Sequence, residues 1–156
     1  IAVIGAPALP RATARYLDLV MTPLIPDTFA AVLPPDAMAR LLLKEAMGGR
    51  TPSEKNVEGY AAPYREHAAM RAFFATARSI IAEHDAKAIA ARYRAVKQPV
   101  LVVWCRKDPI VSLRSGRQLA AALPRGRLAV LEGCHHLPQH ERPQTLLRTL
   151  RPFLAR

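Results

Sequence analysis

Asp108 and His136 are the two side chains of this sequence best suited to act on one another. Asp108 follows an apolar run at residues 99–105 (PVLVVWC), with Arg106 and Lys107 between, and is itself followed by Pro109. His136 follows a second run at residues 127–131 (RLAVL), within Glu132-Gly133-Cys134-His135-His136-Leu137-Pro138. A carboxylate that holds an imidazole fixes its tautomer and stabilises imidazolium; together they are two of the three parts of a nucleophilic triad. Histidine suits the task because it titrates near neutral pH. The third part has no obvious candidate. No G-x-S-x-G occurs, and Ser115-Gly116 lacks the preceding glycine and falls in a helical pattern.

For the pair to meet, two strands must lie side by side. Residues 112–123, between the two apolar runs, read as a helix. Strand, loop, helix, strand is a βαβ unit, and its crossover makes the strands parallel. Neighbouring strands run about 4.8 Å apart, so Asp108 and His136 would leave the same carboxyl edge within hydrogen-bond reach. Another strand is expected at residues 1–4, closed by Gly5-Ala6-Pro7. From about Arg11 to Tyr93 the pattern is helical and punctuated by prolines. Residues 36–47 set Met38, Leu41 and Leu42 on one face before the stop Gly48-Gly49. Thr51-Pro52-Ser53-Glu54 reads as a capping box with Pro52 at the first helical position, and Pro63 ends that helix. Residues 67–84 repeat Met70, Phe73, Phe74, Ala77, Ile80 and Ile81 at i, i+3, i+4 spacing, a packing stripe. A last helix at 141–154 carries Leu146, Leu147, Leu150, Phe153 and Leu154, with Pro152 kinking or ending it near its final turn.

A length of 156 residues with 51% hydrophobic content suits an α/β unit with a sizeable core. A net charge of +11 invites a nucleic-acid partner. Its arginines are spread over nearly every segment, however, without a block of like charge or a groove-reading motif, so the reading is a solvated basic surface. No apolar run approaches the ~18 residues of a membrane span, and no signal peptide opens the chain. The start, without Met and directly on a strand, reads as a cut into a longer polypeptide. Cys105 and Cys134, each at a strand end, do not make a disulfide scaffold; two free thiols in a reducing, cytoplasmic compartment are expected. Cys134, His135, His136 and His140 match no standard zinc spacing, so neither metal nor other cofactor is expected. His67 and His84 fit helix surfaces or ends, His84 as a cation at a helix C-terminus. Oligomeric state is left open. Plainer readings of the pair are that Asp108-Pro109 only starts a turn and that His136 is an ordinary loop histidine.

PVLVVWCRKDPIV, followed by VLEGCHHLPQHERP with the pattern G-x-x-H-x-P-x-x-E-x-P, resembles the acid turn and histidine loop of lid-bearing α/β-hydrolases. That group includes esterases, epoxide hydrolases, haloalkane dehalogenases and carbon–carbon bond hydrolases. IAVIGAPALP is similar to the strand that leads into the lid, and Tyr60-Ala61-Ala62-Pro63 to lid helices. The resemblance implies the C-terminal half of such a fold: a partial parallel sheet with flanking helices and an all-helical lid (cap) insertion. Its parts are a core strand and turn at 1–10, the lid at 11–95, and the core bearing acid and base at 96–156. Asp108 would be the acid and His136 the base, in the order acid then histidine after an upstream nucleophile. His135 stands where the family usually has a small residue, and Cys105 where glycine is common. The nucleophile elbow and oxyanion hole would precede residue 1. One oxyanion donor alone is worth ~10²–10³ in rate, so the fragment by itself would be inactive. The implied substrate is a small apolar ester or related molecule under the lid, with Ile110 and Leu137 as walls. In a serine version His136 takes the hydroxyl proton; in an aspartate version it activates the water that resolves the ester intermediate. A different reading is a non-catalytic interaction module that keeps the scaffold. It predicts a gene that begins close to Ile1 and a chain that melts cooperatively on its own.

Overall fold

The central strand of the sheet is buried along its whole length because both of its faces are covered. The computed structural model describes residues 1–7, 33–82 and 86–155. Strands β1 (Ala2–Ile4), β2 (Val100–Cys105) and β3 (Gly126–Leu131) form one parallel sheet in the order β1-β2-β3. Helix α5 (Leu113–Ala122) joins β2 to β3, so the expected βαβ unit is present. Among the described residues, the helices between β1 and β2 are α1 (Pro35–Ala46), α2 (Glu54–Ala61), α3 (His67–Ala82) and α4 (Ala86–Arg94), with a 3₁₀ turn, Ala62–Arg65, after α2. After β3 come the short α6 (Pro138–Glu141) and α7 (Pro143–Leu154). No helix among the described residues is long and apolar enough to cross a membrane.

Side chains alternate across β2, and each set meets its own helix. Val100, Val102 and Trp104 pack with Val111, Leu119 and Leu123 on the α5 side. Leu101, Val103 and Cys105 pack with Leu131, Cys134 and Leu146 on the α7 side. Trp104 is fully buried, and its indole N–H donates to the Val111 carbonyl at 2.8 Å, which removes the cost of hiding a donor. A Cβ at Gly116 would fall 2.6 Å from the Trp104 ring. Ser115-Gly116 therefore belongs to a buried helix–sheet contact.

Several expectations need correction. Cys105 and Cys134 are joined by a disulfide and are not free thiols. Residue 105 pairs with Leu131 at the strand ends, and the turn through Gly133 (φ +69°) brings residue 134 back beside β2. Their Cα atoms lie 5.4 Å apart, within bridging range. The bond removes the ground on which free thiols argued for a reducing compartment. It closes a loop with a sequence separation of 29 residues, and loops of that order are worth about 2–4 kcal/mol. Reductant is expected to lower the unfolding free energy by about that amount; coincident denaturant curves with and without reductant would contradict it.

The capping residue of α2 is Ser53, not Thr51. Ser53 Oγ accepts the Asn56 N–H at 3.3 Å, and Glu54 is engaged by Arg40 of α1 at 2.7–2.8 Å instead of reaching back to close a box. In α1 the buried positions are Ala39, Leu43 and Ala46, while Leu41 is 58% exposed. Small residues there let α2 approach, and Val57 and Ala61 complete that cluster. The α3 stripe holds at Met70 and Phe74, both buried, with Phe73 stacked edge-on against Tyr64 and Phe74. Ala77, Ile80, Ile81, His67 and His84 lie outside the residues whose side chains are described. In α7, Leu146, Leu150 and Phe153 face the sheet, whereas Leu147 and Leu154 are exposed, and the helix runs two residues past Pro152.

Candidate active site

Parallel neighbours with paired ends deliver both chemical side chains to one edge of the sheet. Asp108 lies in the loop after β2 and His136 in the loop after β3. The His136 Nδ1 is 2.8 Å from Asp108 Oδ2. Asp108 is 1% exposed at its side chain and His136 is 23% exposed. The other carboxylate oxygen, Oδ1, accepts the main-chain N–H groups of Ile110 and Val111, each at 2.9 Å. Asp108 does begin a turn, as the plainer reading had it, and that turn leaves Oδ2 free for the histidine. An ionised carboxylate only accepts, so Nδ1 carries the proton and Nε2 is left to exchange one.

Two further features set the histidine loop and the space beside the ring. The His136 main-chain N–H donates to the carbonyl of Ala46, the last residue of α1, at 2.8 Å. Gly5 closes β1 with φ +53° and donates to the Val103 carbonyl at 3.2 Å. A Cβ at Gly5 would sit 3.4 Å from the His136 ring and 3.6 Å from Asp108 Oδ2. Those are ordinary contact distances, so glycine is favoured at residue 5 for its left-handed backbone.

An apolar cavity of about 280 Å³ opens beside the imidazole. Met38 and Leu42 of α1, Tyr60 and Tyr64 around the 3₁₀ turn, and Met70 and Phe73 of α3 line it together with His136 and Leu137. Of the two expected wall residues, Leu137 is therefore at the cavity. Ile110 packs against the Trp104 cluster and reaches the pair only through its main-chain N–H. Tyr60 Oη lies 3.1 Å from His140 Nε2, joining α2 to α6. Sequence reasoning missed Glu141, whose side chain is fully buried beside the histidine loop. The signal was an acid held between two prolines, Pro138 and Pro143, soon after the histidine.

A model described as the alpha/beta hydrolase family matches residues 1–149. The chain is 25% identical over 101 residues to the uncharacterized hydrolase YugF of Bacillus subtilis (strain 168), covering 65% of this chain and 36% of that protein. It is 33% identical over 63 residues to 2-hydroxy-6-oxononadienedioate/2-hydroxy-6-oxononatrienedioate hydrolase 2 of Pseudomonas putida, covering 40% of this chain and 22% of that one. Among solved structures, 2-hydroxy-6-oxo-6-phenylhexa-2,4-dienoate hydrolase of Rhodococcus sp. strain RHA1 superposes with a TM-score of 0.69 at 20% identity. That superposition covers 99% of this chain and 54% of the other. The chain thus spans about half of that fold.

Proposed function

The chain belongs to the alpha/beta hydrolase family, and we propose that it is the part of a hydrolase that supplies the acid and base, Asp108 and His136. The observation that carries the reading is the 2.8 Å contact from His136 Nδ1 to a buried Asp108 whose other oxygen is already held by two N–H groups. A carboxylate so fixed orients the imidazole and stabilises the imidazolium formed when Nε2 takes a proton. The nucleophile and the oxyanion donors come from sequence outside residues 1–156, so this chain alone turns nothing over. We read the helices from α1 to α3 as part of a cap, residues 11–95, because each of them lends side chains to the cavity at His136.

The substrate in this reading is a small apolar ester or related compound. None of the described side chains lining the cavity is an acid, lysine or arginine. Each buried CH₂ is worth about 0.8 kcal/mol, or about fourfold in rate constant. The test is a p-nitrophenyl ester series on the full-length protein. Its kcat/KM should rise about fourfold per added methylene from acetate to butyrate, and butyrate should surpass the succinate monoester by at least tenfold. Absence of turnover, or preference for the succinate ester, would overturn the reading.

A further inference from the structure

The loop bearing His136 is held by a carboxylate that the Asp108 pair does not use. Residues 134–137 lie between β3 and α6 and belong to neither, so their main-chain N–H groups need acceptors from elsewhere. Glu141 supplies two of them. Its Oε1 accepts the His135 N–H at 2.8 Å and the Leu137 N–H at 3.3 Å, on either side of His136. Its Oε2 lies 2.8 Å from His135 Nδ1 and 3.6 Å from the Arg50 guanidinium. The N–H between the two, that of His136, goes to Ala46. Three successive amides are thereby pinned, two of them by one oxygen.

A fully buried carboxylate is costly unless it is paired and hydrogen-bonded. Here the two amides, the His135 ring and the half-exposed Arg50 meet that need. The turn after α1 is shaped to the same cluster. A Cβ at Gly48 would come within 2.3 Å of the His135 ring, and Gly48 has φ +65°. The helical segment therefore contributes Ala46, Gly48 and Arg50 to the seat of the histidine loop.

We propose that Glu141 is the positioning residue of the base, acting through the amides of His135 and Leu137; this rests on reading His136 as that base. Displacing a catalytic group by about 1 Å can cost about 10²-fold. Turnover of p-nitrophenyl butyrate by the full-length protein, with kcat and KM resolved, tests it for E141A, E141D, E141Q and H136A. E141A leaves both amides without their acceptor, and kcat is expected to fall about 10²-fold with KM within about threefold. The Gln side chain keeps an oxygen at the same reach, so E141Q is expected to restore kcat to within about fivefold of the parent. E141D keeps the charge but is one methylene short, and is expected to lose at least about tenfold. The order Gln above Asp means that reach, and not charge, is what matters. Should E141A fail to fold, the other two variants decide. E141D equal to or better than E141Q overturns the proposal, as does E141A within about twofold of the parent. H136A turning over like the parent would instead overturn the assignment of the base itself.

Discussion

Replacing His136 by alanine in the full-length protein is expected to lower kcat on p-nitrophenyl butyrate by about 10⁵–10⁶-fold, with KM changed little. The ring is the group that takes the proton in this reading, and removing it removes the base in every step. The fold should survive, because the main-chain N–H of residue 136 keeps its bond to Ala46 and residues 135 and 137 keep theirs to Glu141. The same variant identifies the nucleophile. A serine needs the imidazole to lose its proton, so H136A would form no acyl-enzyme and show no burst. An aspartate is already ionised and displaces halide from the alkyl carbon of a haloalkane unaided, so with that substrate H136A would release one equivalent of halide and stop at the alkyl ester. Single-turnover kinetics with mass spectrometry separates the two. An H136A protein with a kcat within tenfold of the parent would remove His136 from the chemistry.

The sheet was legible because its strands carry their own boundaries. Val100–Cys105 is apolar on both faces, the signature of a central parallel strand, and it is buried throughout. A helix between two such runs left one arrangement that brings Asp108 to His136, and the register Cys105↔Leu131 sets the two loops side by side. Details of the helices were less legible, because tertiary partners overruled local preference. Thr51 and Ser53 are both capping residues by type, serine the better; the engagement of Glu54 by Arg40, remote in sequence, goes with the choice of Ser53. Leu41 reads as a core residue by hydrophobicity, yet the α1–α2 contact is built from Ala39, Leu43, Val57 and Ala61, the alanines allowing close approach.

At the site, the missing information was three-dimensional rather than chemical. Cys105 and Cys134 were placed at adjacent strand ends from the sequence, but whether their Cα atoms come within bridging distance depends on the left-handed turn at Gly133. Glu141 was visible only as a letter in the histidine-loop pattern. Its meaning appears once α6 folds the chain back, so that a residue five positions on faces the amides at 135 and 137. Gly5 lies in an expected turn, and its left-handed backbone, φ +53°, beside the imidazole shows why a side chain there is strained.

The substitution D108N is expected to cost about 10⁴-fold in kcat while leaving the fold intact. The argument runs from the hydrogen bonds. Two N–H donors, from Ile110 and Val111, face Oδ1, and an asparagine must present its oxygen to them because its NH₂ group cannot accept. That orientation turns the NH₂ group toward His136 Nδ1, where the carboxylate oxygen now stands at 2.8 Å. Nδ1 then has to accept, the ring proton moves to Nε2, and the nitrogen that should take a proton already has one. Nor does an uncharged amide stabilise the imidazolium. Asparagine matches the shape of aspartate, so thermal unfolding should shift by only a few degrees, on the scale of one lost charge-assisted bond. Ring ¹⁵N shifts would report the tautomer directly: Nδ1 protonated in the parent and Nε2 in D108N. A variant that keeps the parent tautomer and kcat would mean that Asp108 only shapes the turn before Pro109.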